Sequence, residues 1–192
     1  MGVGVNHPLV SLVALQVCWF ACVGGAARGL PWLGPLAVAA YAAGYLRTVP
    51  SGRARSRQAW LLALAGAAGY AADSALVLSG VLAFPPQAVL GWPSTVWMVA
   101  LWVLQAAVLG GALSRLRGRH VTAAIVGAVG GPLAYLAGER MGAAVLGPSH
   151  AVALTAIGVE WALAMPLLVW MEGRARLGAG AEGCLTGERL AR

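Results

Sequence analysis

The stretch AWLLALAGAAGYAADSALVLSGVLAF, Ala59–Phe84, carries one charged residue, Asp73. It is longer than the roughly 20 apolar residues a helix needs to cross a bilayer core of about 30 Å. A carboxyl at that depth costs roughly 2.5–3.5 kcal/mol on insertion scales, so it marks a candidate functional site. Working outward, five more segments read as spans: Pro8–Ala27, Leu30–Leu46, Thr95–Leu113, Val121–Gly138 and Ser149–Met171. The last holds a second isolated acid, Glu160. Pro85-Pro86 reads as the stop of the third span. Ser94 and Ser149, each just after a proline, read as caps of the fourth and sixth.

The composition agrees. The chain is 60% hydrophobic and 10% charged, against about a quarter charged in soluble domains. A net charge of +7 would point to nucleic acid in a soluble protein. Here its placement follows the membrane, and no nucleic-acid partner is expected. Every basic residue is Arg. Four lie between spans two and three (Arg47, Arg53, Arg55, Arg57) and three between four and five (Arg115, Arg117, Arg119). Four more follow span six (Arg174, Arg176, Arg189, Arg192), leaving only Arg28 and Arg140 on the other side. Positive-inside placement then puts both termini in the cytoplasm. The expected fold is an all-α integral membrane bundle of six transmembrane helices over residues 1–171, in a bacterial inner membrane. A disordered cytoplasmic tail is expected over 172–192. The first helix has no basic residue before it, as a signal peptide would, and is expected to be retained. Trp32, Trp60, Trp92, Trp97 and Trp170 fall near segment ends, as in an aromatic belt.

Polar residues inside the spans are the candidate site. At 1.5 Å per residue Glu160 lies about 16 Å into its segment, near mid-bilayer, and Asp73 about 21 Å into its own. Gln16 and Gln105 come out at similar depth to Glu160. Tyr70, one turn from Asp73, is the expected lock for that carboxyl, and Tyr135 is a further polar candidate. Gly66, Tyr70, Asp73, Val77 and Gly80 form one stripe; Ala153, Ala156, Glu160 and Ala164 form another. Small faces let helices approach closely, so both acids are expected to point inward. In the fifth span Gly130, Ala134, Gly138 and Gly142 form a small ridge, and Pro132 frees the Ala128 carbonyl. Glu139 and Arg140 follow at the outer interface as candidate headgroup contacts. The first helix of each half has one Gln and the third one acid, so an inverted three-plus-three repeat is possible. Cys18, Cys22 and Cys184 form no metal or disulfide pattern. No metal or cofactor is expected.

Asn6, Gln16-x-x-Trp19-Phe20, Asp73-Ser74, Trp97-Met98-x-x-Leu101-Trp102, Gly131-Pro132-x-Ala134-Tyr135-x-x-Gly138 with Gly142-Ala143, and Glu160-Trp161 carry a resemblance. They resemble a family of small bacterial inner-membrane proteins catalogued as a domain of unknown function, number twenty-eight seventy-eight in its series. The likeness covers about Asn6 to Met171. The chain departs from it at Gln105, where an aromatic residue is expected. The resemblance implies an envelope-lipid context and no assigned activity. Three functions stay open: a small transporter with Glu160 as coupling site, an accessory protein with structural acids, or an intramembrane enzyme acting on lipid. The transporter leads, and an enzyme is the less favoured class. Expected partners are the lipid bilayer and a second copy or another membrane protein.

Overall fold

Chain-breaking residues set the helix ends. The computed structural model describes residues 7–190, with side chains over residues 7–176. Helix α1 (Pro8–Ala27) opens on His7, whose ring accepts the Leu9 amide at 3.3 Å, and on Pro8, where a missing N–H is harmless. Helix α2 (Leu33–Thr48) starts after Pro31 and stops ahead of Pro50. Helix α3 (Arg53–Leu78) ends at Gly80, whose φ of 74° is the left-handed conformation that closes helices. The stop therefore comes before Pro85-Pro86. Helices α4 (Val96–Val108), α5 (His120–Arg140) and α6 (His150–Leu190) follow. Two short strands, β1 (Leu82–Ala83) and β2 (Val145–Leu146), pair antiparallel and tie the α3–α4 connection to the α5–α6 connection.

Helices α1, α3, α5 and α6 (over His150–Arg176) are long and apolar enough to cross a membrane. Helix α4, at 13 residues, is shorter than the span expected over Thr95–Leu113 and rises only about 20 Å. The chain before it folds into the protein as irregular backbone, with Ala88, Ser94 and Thr95 buried. Trp97 Nε1 donates to the Ala88 carbonyl at 2.9 Å, and the Val96 amide to Leu90 at 2.7 Å. Irregular backbone at depth is tolerated where protein covers it. Thr95, not Ser94, takes the cap position, and both hydroxyls are buried without a partner. Ser149 does cap α6, accepting from the Val152 amide at 3.4 Å. Trp97 leaves the expected belt: it is buried, while Trp32, Trp60, Trp92 and Trp170 are exposed.

Helix α4 is central, packed on α1, α2 and α3, while α6 packs along α5 and on α3. Missing side chains bring these helices together. A Cβ on Gly34 would lie 2.3 Å from Cys22 Cα, and one on Gly69 would lie 2.0 Å from Trp102 Cγ. On α5 the close residues are Gly127 and Gly131, both against Trp161; the Ala128 carbonyl freed by Pro132 lies against Gly158. The small ridge Gly130–Ala134–Gly138–Gly142 is not the face that meets α6: among the described residues nothing lies within 4 Å of a Cβ on Gly130, one on Gly138 would face Val23 of α1 at 3.8 Å, and Gly142 is past the helix. Nor does the packing repeat between halves. α1 packs on α2, whereas α4 meets α5 at most marginally.

The arginine-bearing connections gather at one end. Arg117 Nη2 donates to the Gly110 carbonyl at 2.9 Å, and both Arg117 and Arg176 pair with Glu172. Helix α6 runs on through Met171, and Glu172 is only 1% exposed. The bundle thus extends past the boundary read from sequence, because an acid among arginines is held there. The side chains beyond Arg176, Cys184 included, and the tail expected there lie outside the described residues.

Candidate intramembrane polar site

Asp73 is fully buried on the inward face of α3, in line with Leu62, Gly66 and Gly69. Three helices meet at its carboxyl. Trp102 Nε1 of α4 donates to Oδ2 at 2.9 Å, and the Tyr135 hydroxyl of α5 donates to Oδ1. The side-chain lock is therefore Tyr135 and Trp102, not Tyr70. Tyr70 is exposed and donates instead to the Trp92 carbonyl at 3.0 Å.

Glu160 lies on α6, one residue before Trp161, which packs against Gly131 of α5. The situation of Glu160 is the reverse of Asp73's. Both of its carboxyl oxygens are buried, and among the described residues neither has a hydrogen-bond partner. The next residue, Trp161, stacks on Trp102 with ring centroids 4.6 Å apart and planes 23° from parallel. The Trp102–Trp161 stack ties α4 to α6, with Trp102 bonded to Asp73 and Trp161 next to Glu160 in the chain.

Beside this group is a cavity of about 240 Å³ between α1 and α4 on one side and α5 and α6 on the other. It exists because α5 leans on α6 and leaves α4 nearly untouched. Gly130, Ala134 and Gly138 form part of its wall. Tyr135, Trp102 and Trp161 form another part, and the cavity reaches the outer surface of the bundle at Val126 and Gly130. Gln105 lines it too, with Nε2 3.2 Å from Met165 Sδ.

The remaining candidates lie elsewhere. Gln16 is exposed on the outer face of α1, so it does not match Gln105 in position. Glu139 is engaged at the far end, where Oε1 accepts the Leu146 amide at 2.9 Å and Oε2 lies 3.0 Å from His150 Nε2. It anchors β2 and the start of α6. Arg140 is exposed beside it. Sequence reasoning missed Trp102 and Trp161 as site residues. For Trp102 the signal was an indole N–H in an otherwise apolar helix, a donor that needs an acceptor when buried.

The Asp73 bonds make a measurable claim. A Tyr135→Phe variant leaves Oδ1 buried without its donor and is expected to lose about 1–2 kcal/mol. Thermal unfolding in mild detergent reads this. A loss below about 0.3 kcal/mol would mean the bond contributes less than even the average interhelical hydrogen bond, about 0.6 kcal/mol.

A family model described as protein of unknown function (DUF2878) matches residues 8–167. No curated protein and no solved structure matches the chain.

Proposed function

The chain belongs to the DUF2878 family of proteins of unknown function, and within it we propose a small carrier that takes a molecule into the intramembrane cavity and uses Glu160 as its exchanging carboxyl. The observation that carries this reading is the contrast between the acids. Asp73 has both oxygens bonded, as a fixed part of the scaffold would. Glu160 has two buried oxygens with nothing to bond. A buried polar group without partners is costly unless it serves a function.

The environment is a lipid bilayer: Leu12, Val13, Val17 and Phe20 on α1 and Leu163 and Leu167 on α6 are exposed apolar side chains. We place it in the bacterial inner membrane with six crossings, α2 and α4 completing the four longer helices, and with both termini cytoplasmic. The support is the arginine end of the bundle. An intramembrane enzyme is less well supported, because the Asp73 oxygens are occupied and Arg140 lies at the far end near Glu139, away from either acid's partners. A purely structural role for the acids suits Asp73 but not Glu160.

Carbodiimides modify protonated carboxyls in apolar surroundings, so dicyclohexylcarbodiimide and peptide mass spectrometry test the contrast directly. Glu160 is expected to take the label and Asp73 to resist it, with Glu160→Gln unlabelled yet folded. Labelling of Asp73 in preference to Glu160 would reverse the assignment and remove the basis of the carrier reading.

A further inference from the structure

The wall of the cavity narrows the class of molecule it would hold. Four indoles and a phenol line it: Trp19, Trp97, Trp102, Trp161 and Tyr135. Among the described residues no Arg or His lines it. Neither acid is among the residues that line it, but both connect to the wall. Asp73 is bonded to two of the lining aromatics, and Glu160 precedes a third in sequence. The faces of aromatic rings carry negative potential that attracts cations, most strongly where water is excluded. A carboxyl behind such rings, in a low dielectric and without basic neighbours, adds potential of the same sign once it has given up its proton. An anion would meet repulsion there, and a neutral apolar molecule would gain contact area but nothing from the acids.

We infer that the cavity is a binding site for a lipophilic organic cation, such as a quaternary ammonium group on an apolar body, that enters from the bilayer through the opening at Val126 and Gly130. The aromatic wall receives the cationic head, and Glu160 is its counter-charge. The apolar residues around the wall, with the adaptable thioethers of Met98 and Met165, receive the body. Ring faces suit a quaternary ammonium because it has no N–H to donate, so the scarcity of acceptors on the wall is no handicap.

This inference rests on Glu160 being the exchanging carboxyl of the carrier proposed above, and its test separates the two. The probe pair is benzyltrimethylammonium and its uncharged carbon isostere, neopentylbenzene, titrated against the full-length protein in mild detergent with tryptophan fluorescence as readout. The cation is expected to bind at least about ten-fold more tightly than the isostere, in keeping with a desolvated cation–π site. It is also expected to protect Glu160 from carbodiimide. In Glu160→Gln the preference should fall to within about two-fold while the isostere binds as before, which shows that the cavity is still formed. Equal affinities in the wild type, or tighter binding of the isostere, would overturn the cation assignment. Failure of both probes to bind would overturn the site. Uptake of radiolabelled benzyltrimethylammonium into proteoliposomes then tests the carrier reading by itself. Binding without uptake would retain the cation site and remove the carrier.

Discussion

Replacing Arg117 and Arg176 together by Ala is expected to lower stability by about 3–5 kcal/mol, because it leaves a buried carboxylate without compensation. Glu172 is 1% exposed; its Oε1 accepts from Arg176 Nε, and its Oε2 is 3.5 Å from Arg117 Nε. The guanidinium side chains are 42% and 41% exposed. The burial is therefore one-sided: the acid has lost its water and the bases have not. Removing the acid instead, as Glu172→Gln, frees two arginines to turn outward and is expected to cost about 1 kcal/mol or less. Adding Glu172→Gln to the double arginine variant should recover most of the loss. Unfolding midpoints of the four proteins in mild detergent check this. A double arginine variant within about 1 kcal/mol of wild type would show that Glu172 finds water or another donor.

The second large effect is expected at Gly127→Ala. The new Cβ would lie 2.1 Å from the Trp161 carbonyl oxygen and 2.7 Å from its carbon. These are backbone atoms in the middle of α6, so no rotamer change relieves the overlap, and α5 must shift away from α6 as a whole. Overpacking of this kind costs about 1–3 kcal/mol and sometimes more; a backbone clash puts this site at the upper end. The shift would also carry Tyr135 away from Asp73. The matched control is Gly130→Ala, one turn along the same helix, where a Cβ meets nothing within 4 Å. That change is expected to stabilise by about 0.5–1 kcal/mol through helix propensity. Similar unfolding midpoints for the two variants would contradict the α5–α6 interface.

Those two glycines show where reading a sequence stops. Gly127 and Gly130 are both small residues in an apolar helix, and spacing alone selects the ridge of Gly130, Ala134 and Gly138. Which face meets a neighbour depends on how α5 is rotated against α6, and Pro132 and the bulk of Trp161 set that rotation. The ridge chosen by spacing lines the cavity instead. Tyr70 and Tyr135 differ in the same way. Tyr70 is one turn from Asp73 and so looks like its lock, yet the bond comes from Tyr135, far along the chain on another helix. Glu172 was read as part of a tail because it follows the last apolar segment. Only the fold brings Arg117 from the α4–α5 connection to meet it.

What the sequence determined by itself is the membrane character, the helices, the gathering of arginines at one end, and the isolation of two acids in apolar segments. Those follow from composition and position along the chain, because transfer to a bilayer penalises each charge wherever the chain later packs. What only the tertiary structure decided is which acid is satisfied. Asp73 and Glu160 look alike as single carboxyls in apolar helices. Their difference is made by Trp102 and Tyr135, donors supplied from other helices, and donor geometry between helices is a property of packing that no local pattern encodes.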